Sequence, residues 1–327
     1  MRNTASAPGK MMLLGEFAVL EGAPAIVIAI NRRAVVRVTS AEENPRAKNK
    51  VSVPELCPRE ISFEIDEQRQ VSWLRTDALI RKRLALLGQV IAEFHTGKAV
   101  HISTDTSAFF RDGKKMGFGS SAALTVAAAT ALQGATPELA TLVETHRAAQ
   151  NGRGSGFDIA AAIEGGVINF RSQPLQAQPV SLPADLYLSG VWTGQSASTP
   201  SLLRELDAAD NRSQAIDELC KEAERAIGGL AGSAASWVAA VARYSTALQR
   251  FAAQTSLPVF AGGHSAVAEI AKNSDIAYKP SGAGGGDIGV AASTDKAALE
   301  SFGRLLRASG VSVFDLEIAG QGVRMDS

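Results

Sequence analysis

The chain is short of cysteine, net charge and long apolar runs, and each shortage removes a class of function. Its two cysteines, Cys57 and Cys220, make neither a metal-ligand spacing nor a disulfide framework. Lysine plus arginine equals aspartate plus glutamate at 33 each, so the formal charge is zero. That balance speaks against a nucleic-acid binder and leaves room only for a local basic patch. No apolar run is long enough to span a bilayer; Ala23 to Ile30 is too short and meets Asn31-Arg32-Arg33 at once. Met1 to Ala7 is polar, which predicts no signal peptide. The expectation is a soluble protein of a reducing compartment, cytoplasmic, a monomer or homodimer, with no membrane or nucleic-acid partner.

What is present is core-forming material. Of 327 residues, 46% are apolar and 20% charged, enough for two domains of ordinary size. Short apolar runs at Met11–Gly15, Ala25–Ile30 and Ala34–Val38 predict an opening hairpin with a turn at Glu21–Pro24 and a polar break at Asn31–Arg33. Residues 41–60, polar and proline-containing, read as a loop, and Ile61–Ile65 as a strand. Helical spacing over Trp73–Phe94 predicts one helix with a core stripe from Leu79 to Phe94 and a solvated Arg81-Lys82-Arg83 face. Val100–Ser103 reads as a strand and Thr104–Lys115 as a polar loop. An Ala-rich helix follows over 122–132, closed by Gly134. The next helix is capped by Thr136 with Pro137 at its first position, and ends near Gln150. Val167–Phe170 reads as a strand, and 172–183, with Pro174, Pro179 and Pro183, as the inter-domain connection. Beyond it come a strand at Leu186–Trp192, two long helices broken at Gly228-Gly229, and a third around Ala266–Lys272. A strand at Ile288–Ala292, a helix at Lys296–Ala308 and a strand at Val311–Ile318 finish the chain. Trp73 and Trp237 read as core. The class is α+β, with domains at 1–182 and 183–327.

Three glycine-rich stretches carry the chemistry. The central one runs Lys115-Met116-Gly117-Phe118-Gly119-Ser120-Ser121-Ala122-Ala123. Glycines let main-chain N–H groups crowd around an anion, and the helix behind them points its positive end at the same place. The two serines add hydroxyls suited to phosphate or to Mg²⁺. No Gly-Lys-Ser/Thr follows, so it is not a Walker loop, and the dinucleotide spacing fails. A flexible turn before a capped helix is the plainer alternative for this stretch taken alone. The third stretch, Lys279 to Asp287, spends backbone entropy that a loop holding substrate through its main chain would justify. The first is Ala7-Pro8-Gly9-Lys10 at the mouth of an apolar run; by itself it reads as a solvated strand end.

In this order the three segments resemble the signature motifs of the GHMP kinases, the family of galactokinase, homoserine kinase, mevalonate kinase and phosphomevalonate kinase. The resemblance extends from Ser6 to Val323, with Phe118 where the family's phosphate loop has leucine. Gly15–Arg32, Lys115–Ala127, Gly154–Ala162, Trp192–Thr199 and Lys279–Gly289 look most like the phosphomevalonate kinase branch. The resemblance implies an N-terminal mixed α/β domain with a left-handed βαβ-type phosphate loop and a C-terminal ferredoxin-like α/β sandwich. It implies transfer of the ATP γ-phosphate to phosphomevalonate. Rivals on the same fold are a mevalonate kinase, a diphosphomevalonate decarboxylase or a non-catalytic binding protein.

By the same resemblance Lys10 and Asp158 are the catalytic pair. Lys115, Gly117, Gly119, Ser120, Ser121 and Ala122 wrap the ATP phosphates, with Ser121 or Ser120 reaching Mg²⁺. Ser155, Gly156, Ser196, Ser198, Lys279, Ser281 and Gly284 meet the acceptor. The family's Mg²⁺-binding glutamate has no clear counterpart; Glu144 is the candidate. His146 reads as a polar helix residue, and His95, His101 and His264 receive no role.

Overall fold

The computed structural model describes residues 2–40, 48–230 and 232–326; of the expected loop at 41–60, residues 41–47 lie outside them. Strands β1 (Arg2–Leu14) and β2 (Ala25–Ser40) pair antiparallel along most of their length, joined through a 3-10 turn at Ala18–Glu21. The polar break expected in β2 does not interrupt it. Asn31 donates to Glu317 Oε1 at 2.7 Å and Arg33 to the Gly322 carbonyl at 2.6 Å, so long polar side chains find partners at the sheet rim. The register shifts at Pro8/Gly9 instead, where proline has no N–H to give the ladder.

Strand β3 (Asn49–Ser52) lies inside the expected loop. Only Val51 in it is buried, so no alternation announced it; parallel pairing to a later strand makes it. Strands β4 (Ile61–Ile65) and β5 (Val71–Trp73) follow. The single helix expected over Trp73–Phe94 is two, α1 (Ala78–Arg83) and α2 (Ala85–Phe94). Asp77 caps α1 by accepting from the Ile80 N–H at 2.8 Å. Trp73 instead closes β5 against Phe63, ring centres 5.4 Å apart, and Leu79 is exposed.

After β6 (Val100–Asp105) the expected polar loop holds a small hairpin, β7 (Phe110–Arg111) and β8 (Lys114–Lys115). Helix α3 (Ser120–Gln133) is buried on nearly every side, as an alanine-rich helix allows when small side chains let sheet and helices approach. Helix α4 (Leu139–Ala148) begins after Glu138, later than the expected cap at Thr136. Helix α5 (Phe157–Glu164) leads to β9 (Val167–Ser172) and β10 (Leu175–Pro179), a hairpin where a linker was expected.

The second half runs β11 (Tyr187–Trp192), α6 (Thr199–Asp207), α7 (Arg212–Gly228), α8 (Ala234–Thr255), α9 (His264–Asn273), β12 (Ala277–Pro280), β13 (Ile288–Ser293), α10 (Lys296–Ala308), β14 (Ser312–Asp315) and β15 (Arg324–Asp326). Three helices stand where two long ones were expected before α9. Strand order β12-β13-β11-β14, all antiparallel, is the ferredoxin-like βαββαβ arrangement. The other sheet has order β10-β9-β2-β6-β3-β4-β5, with β1 lying along β2. Strand β14, expected to reach Ile318, stops at Asp315; the tail then returns to the first sheet, where Ile318 bridges Ile30 and β15 pairs with β1. The α+β architecture is therefore the one the motifs implied. No helix among the described residues is long and apolar enough to cross a membrane.

One core joins the two sheets. Met11, Leu13, Ile26 and Ile28 pack with Trp237, Tyr244, Phe251 and Val290. Large aliphatic and aromatic side chains buried on both partners, each contributing roughly 1.5–3 kcal/mol, hold the halves together and fix the cleft between them.

Candidate active site

Period-two alternation along β1 aims its side chains. Met11 and Leu13 enter the shared core, while Lys10 and Met12 face the cleft. Lys10 is 8% exposed. Its stem runs so close to Gly119 that a Cβ there would sit 2.9 Å from its Cγ and Cε. The ammonium lies 3.3 Å from Asp158 Oδ1 and 5.0 Å from the centre of the Phe157 ring. Asp158 stands in the first turn of α5.

The central glycine stretch forms the adjoining wall. Gly117 and Gly119 have φ of 87° and 77°, left-handed values that favour glycine. The Lys10 N–H donates to the Phe118 carbonyl at 2.8 Å, tying loop to strand. Phe118 itself is buried, with the Arg32 guanidinium 5.2 Å from its ring centre. The loop's Ser120, Ser121 and Ala122 open α3, where first-turn amides have no intrahelical acceptor. Ala122 is buried and offers only its N–H. Ser121 Oγ is 3.4 Å from His146 Nε2, over which the Gln150 amide nitrogen sits at 2.9 Å. Burial pushes the His146 pKa down; Asp158 opposes this and Lys115 adds to it.

Asp287 closes the cradle from the other half of the chain. Its backbone is left-handed (φ 58°), and a Cβ on Gly117 would lie 2.6 Å from its Cβ. Lys115 is exposed to solvent at the mouth, yet the surrounding walls lower its pKa, with Asp287 and Asp158 opposing and Lys10 assisting. Desolvation raises the Asp287 carboxyl, against the Ala197 N–H and the two lysines.

Beneath these walls lies a cavity of about 120 Å³, bordered by Lys10, Met12, Glu16, Ser155, Asp158 and Leu203. Ser155 Oγ and Glu16 Oε2 are buried and make no hydrogen bond, and Asp158 Oδ1 has only the Lys10 ammonium at 3.3 Å; buried polar atoms without a hydrogen bond are uncommon and point to a ligand or water. Arg147 holds the carbonyls of Gly154 and Ser155 at 2.8 and 3.2 Å. Arg153 reaches Asp207 at 3.0 Å across the rim. Larger grooves exist, one of about 970 Å³ between α2 and α4, but they lack a Lys–Asp pair facing main-chain amides.

Lys10, Lys115, Gly117, Gly119, Ser120, Ser121, Ser155, Gly156 and Asp158 thus gather around one cleft. Ser196 and Ser198 are exposed at its mouth, Ser196 Oγ 3.4 Å from the Lys115 carbonyl. Three expected acceptor contacts are engaged elsewhere. Lys279 is fully buried and its ammonium bonds to Glu16 Oε1. Ser281 Oγ bridges the N–H and carbonyl of Met12, both at 2.9 Å. Gly284 packs on Val259, whose carbonyl a Cβ would meet at 2.3 Å. Glu144 also departs from expectation: 72% exposed, it pairs with Arg147 at 2.9 Å and borders the α2–α4 groove. His146, two residues on and therefore on another face of α4, is the residue that meets Ser121.

Sequence reasoning missed Glu16, Gln150 and His264. Glu16 has its partner 263 positions away, so nothing local marked it. His264 is fully buried; its Nε2 lies 2.7 Å from the Gly286 carbonyl and its Nδ1 2.6 Å from Tyr278 Oη. Burial holds its pKa down at about 4, Lys279 adding to this and the bond to Gly286 opposing. Because the folded value lies below the ordinary 6.5, the stability it confers is complete above pH 6.5 and is lost as pH falls through about 4. The difference is about 3 kcal/mol. Urea unfolding of wild type and His264→Gln at pH 7 and 4.5 checks this: the wild type is expected to lose markedly more stability on acidification, and equal losses would refute it.

A model of the GHMP kinases N-terminal domain matches residues 78–166, the span that holds the cradle, His146 and Asp158. The phosphomevalonate kinase of Streptomyces sp. strain CL190 is 29% identical over 87% of this chain and 88% of its own. Residues 78–166 thus carry a GHMP kinases N-terminal domain. Among solved structures, the Lin0012 protein from Listeria innocua superposes on this chain with a TM-score of 0.82 at 22% identity, covering all of both chains. Streptococcus pneumoniae phosphomevalonate kinase, solved with phosphomevalonate and AMPPNP, gives 0.70 at 18% identity over 96% of this chain and 99% of that one. These likenesses establish the GHMP kinase fold.

Proposed function

We propose that this protein is a GHMP kinase that transfers the γ-phosphoryl group of ATP to (R)-5-phosphomevalonate, forming (R)-5-diphosphomevalonate in the mevalonate route to isoprenoids. The observation that carries the reading is the Lys10–Asp158 pair set beside the main-chain cradle at 117–121. On this reading residues 1–182 bind the nucleotide and 183–327 complete the acceptor side.

Both reactants are anions, so repulsion is the first obstacle. Lys10, Lys115 and the first-turn amides of α3 oppose it with preorganised positive charge. Phosphoryl transfer needs little else than positioning and charge stabilisation. The acceptor oxygen belongs to a phosphate monoester whose second pKa is about 6, so at neutral pH it is already ionised. Asp158 then orients Lys10 and the acceptor and does not chiefly abstract a proton. The donor set fits Mg²⁺: Ser121 Oγ and the Asp158 carboxylate, one oxygen of which Lys10 already pairs, offer hard oxygens. Among the described residues no three His, Cys, Asp or Glu side chains form a metal cage, which suits an ion shared with substrate phosphates. When bound, it would neutralise charge on the transferring group.

Support for the acceptor comes from the Streptomyces relative and from the second cation, Lys115, over the cleft. Incubation with ATP and mevalonate, phosphomevalonate or diphosphomevalonate, with product masses recorded, tests it. The expected result is ADP formation with phosphomevalonate and a product heavier by one phosphoryl group. Turnover with mevalonate alone, or release of carbon dioxide from diphosphomevalonate, would overturn the acceptor assignment.

A further inference from the structure

The peptide unit between Gly286 and Asp287 is gripped on both sides. Its carbonyl lies 2.7 Å from His264 Nε2, and its N–H donates to the Gln195 carbonyl at 2.6 Å. A carbonyl only accepts, so Nε2 carries the proton. The neutral ring then accepts at Nδ1, and the Tyr278 hydroxyl donates to it at 2.6 Å. His264 is fully buried and Tyr278 nearly so.

The surrounding glycines make room for this arrangement. A Cβ on Gly289 would lie 2.3 Å from Tyr278 Oη, and one on Gly262 would lie 2.6 Å from the Gly285 carbonyl. The turn before α9 is therefore flush with the glycine loop, and the histidine ring reaches the loop directly.

What the grip fixes is Asp287. A non-glycine residue at φ 58° relaxes toward ordinary backbone unless its neighbours hold it. Asp287 is held by its flanking peptide and by the Thr193 N–H, which donates to its carbonyl at 3.0 Å. Held so, its Cβ packs on Gly117 and its carboxylate faces Lys115 and Lys10. A rotated 286–287 peptide would take the carboxylate off Gly117 and change the field at Lys115 and Lys10.

We infer that His264 is a positioning residue for the phosphate site, acting through the Gly286 carbonyl on Asp287 and Lys115. The inference rests on the nucleotide-binding part of the proposed function for its AMPPNP arm and on the full kinase reading for its turnover arm.

Two variants separate positioning from mere packing. His264→Gln keeps a donor at about the reach of Nε2. His264→Asn reaches only as far as Nδ1 and so keeps the Tyr278 side alone. Both lose ring packing and are expected to lose similar melting temperature. Titration with AMPPNP, which needs no acceptor, is expected to give a Kd within about threefold of wild type for His264→Gln and at least tenfold weaker for His264→Asn. Turnover is expected to follow the same order, with kcat down about a hundredfold in His264→Asn and within about fivefold in His264→Gln. Equal AMPPNP affinity in the two folded variants, whether both weak or both unchanged, would overturn the inference. A wild type that binds AMPPNP but phosphorylates no acceptor would overturn the substrate reading and leave this test standing.

Discussion

Lys10→Met is expected to lower kcat by about a thousandfold, the upper range for losing one preorganised charge at a transferring group. Methionine keeps the unbranched stem that lies along Gly119, so the cleft keeps its shape and only the ammonium goes. Arginine is not a gentler choice. Its planar fork is wider than an ammonium, and it would have to replace an ammonium set 3.3 Å from Asp158 Oδ1 in a nearly buried position. Asp158→Asn should cost less, about ten- to a hundredfold, because an amide still orients Lys10 and the acceptor carries its own negative oxygen. The pH dependence sharpens the contrast. In wild type and Asp158→Asn alike, kcat/KM should rise as the acceptor phosphate ionises near pH 6 and then level. Steady-state kinetics from pH 5 to 9 measure both. A collapse of Asp158→Asn by several orders of magnitude, together with loss of a single-deprotonation limb seen in the wild type, would make Asp158 the base and sink the orienting role.

That contrast depends on residues of different visibility in the sequence. The cradle was legible because glycine and serine there act through local geometry: left-handed backbone at Gly117 and Gly119, then a helix start. Lys10 and Asp158 came only through the family resemblance, since neither has a local partner and the pair spans 148 positions of chain. The third glycine stretch was legible as a special loop, but the burial of its side chains was not. Lys279 and Ser281 looked like ligand contacts because cationic and hydroxyl groups beside glycines usually are. Lys279 faces inward because β12 is a strand of the ferredoxin-like sheet buried at every position from Ala277 to Pro280, a state that no alternation in Ala-Tyr-Lys-Pro advertises, and Ser281, just past its end, is tied to the Met12 main chain. The same reason hid β3, with one buried residue, and β10, whose Leu175–Pro179 alternation was masked by the prolines around it. Where a local rule decides conformation the sequence could be read; where a distant strand decides it, it could not.

Lys279→Met should therefore act on stability before it acts on binding, with a loss of about 3–5 kcal/mol at pH 7, the usual result of leaving one buried charge unpaired. Lys279 and Glu16 are both shut off from solvent. Burial pushes the Glu16 pKa up and the Lys279 pKa down, and their mutual attraction opposes both shifts. Around Glu16, the Gly282 N–H at 3.4 Å is the other donor close to its Oε1, while Oε2 has none. Without the ammonium, Glu16 rises further. A carboxyl whose folded pKa is raised favours the folded state below its unfolded value of about 4.5 and loses that advantage as pH rises through the folded value. The gap between wild type and Lys279→Met should consequently narrow as pH is lowered from 7 toward 5. The double variant Glu16→Leu/Lys279→Met removes both charges and should recover most of the loss, because apolar replacements of a buried pair are often neutral or better. Urea unfolding of the three proteins at pH 7 and 5 decides the matter. If Lys279→Met instead unfolds like wild type at both pH values while its KM for the acceptor rises tenfold or more, Lys279 reaches substrate after all, and the buried pair with Glu16 is not its resting partner in solution.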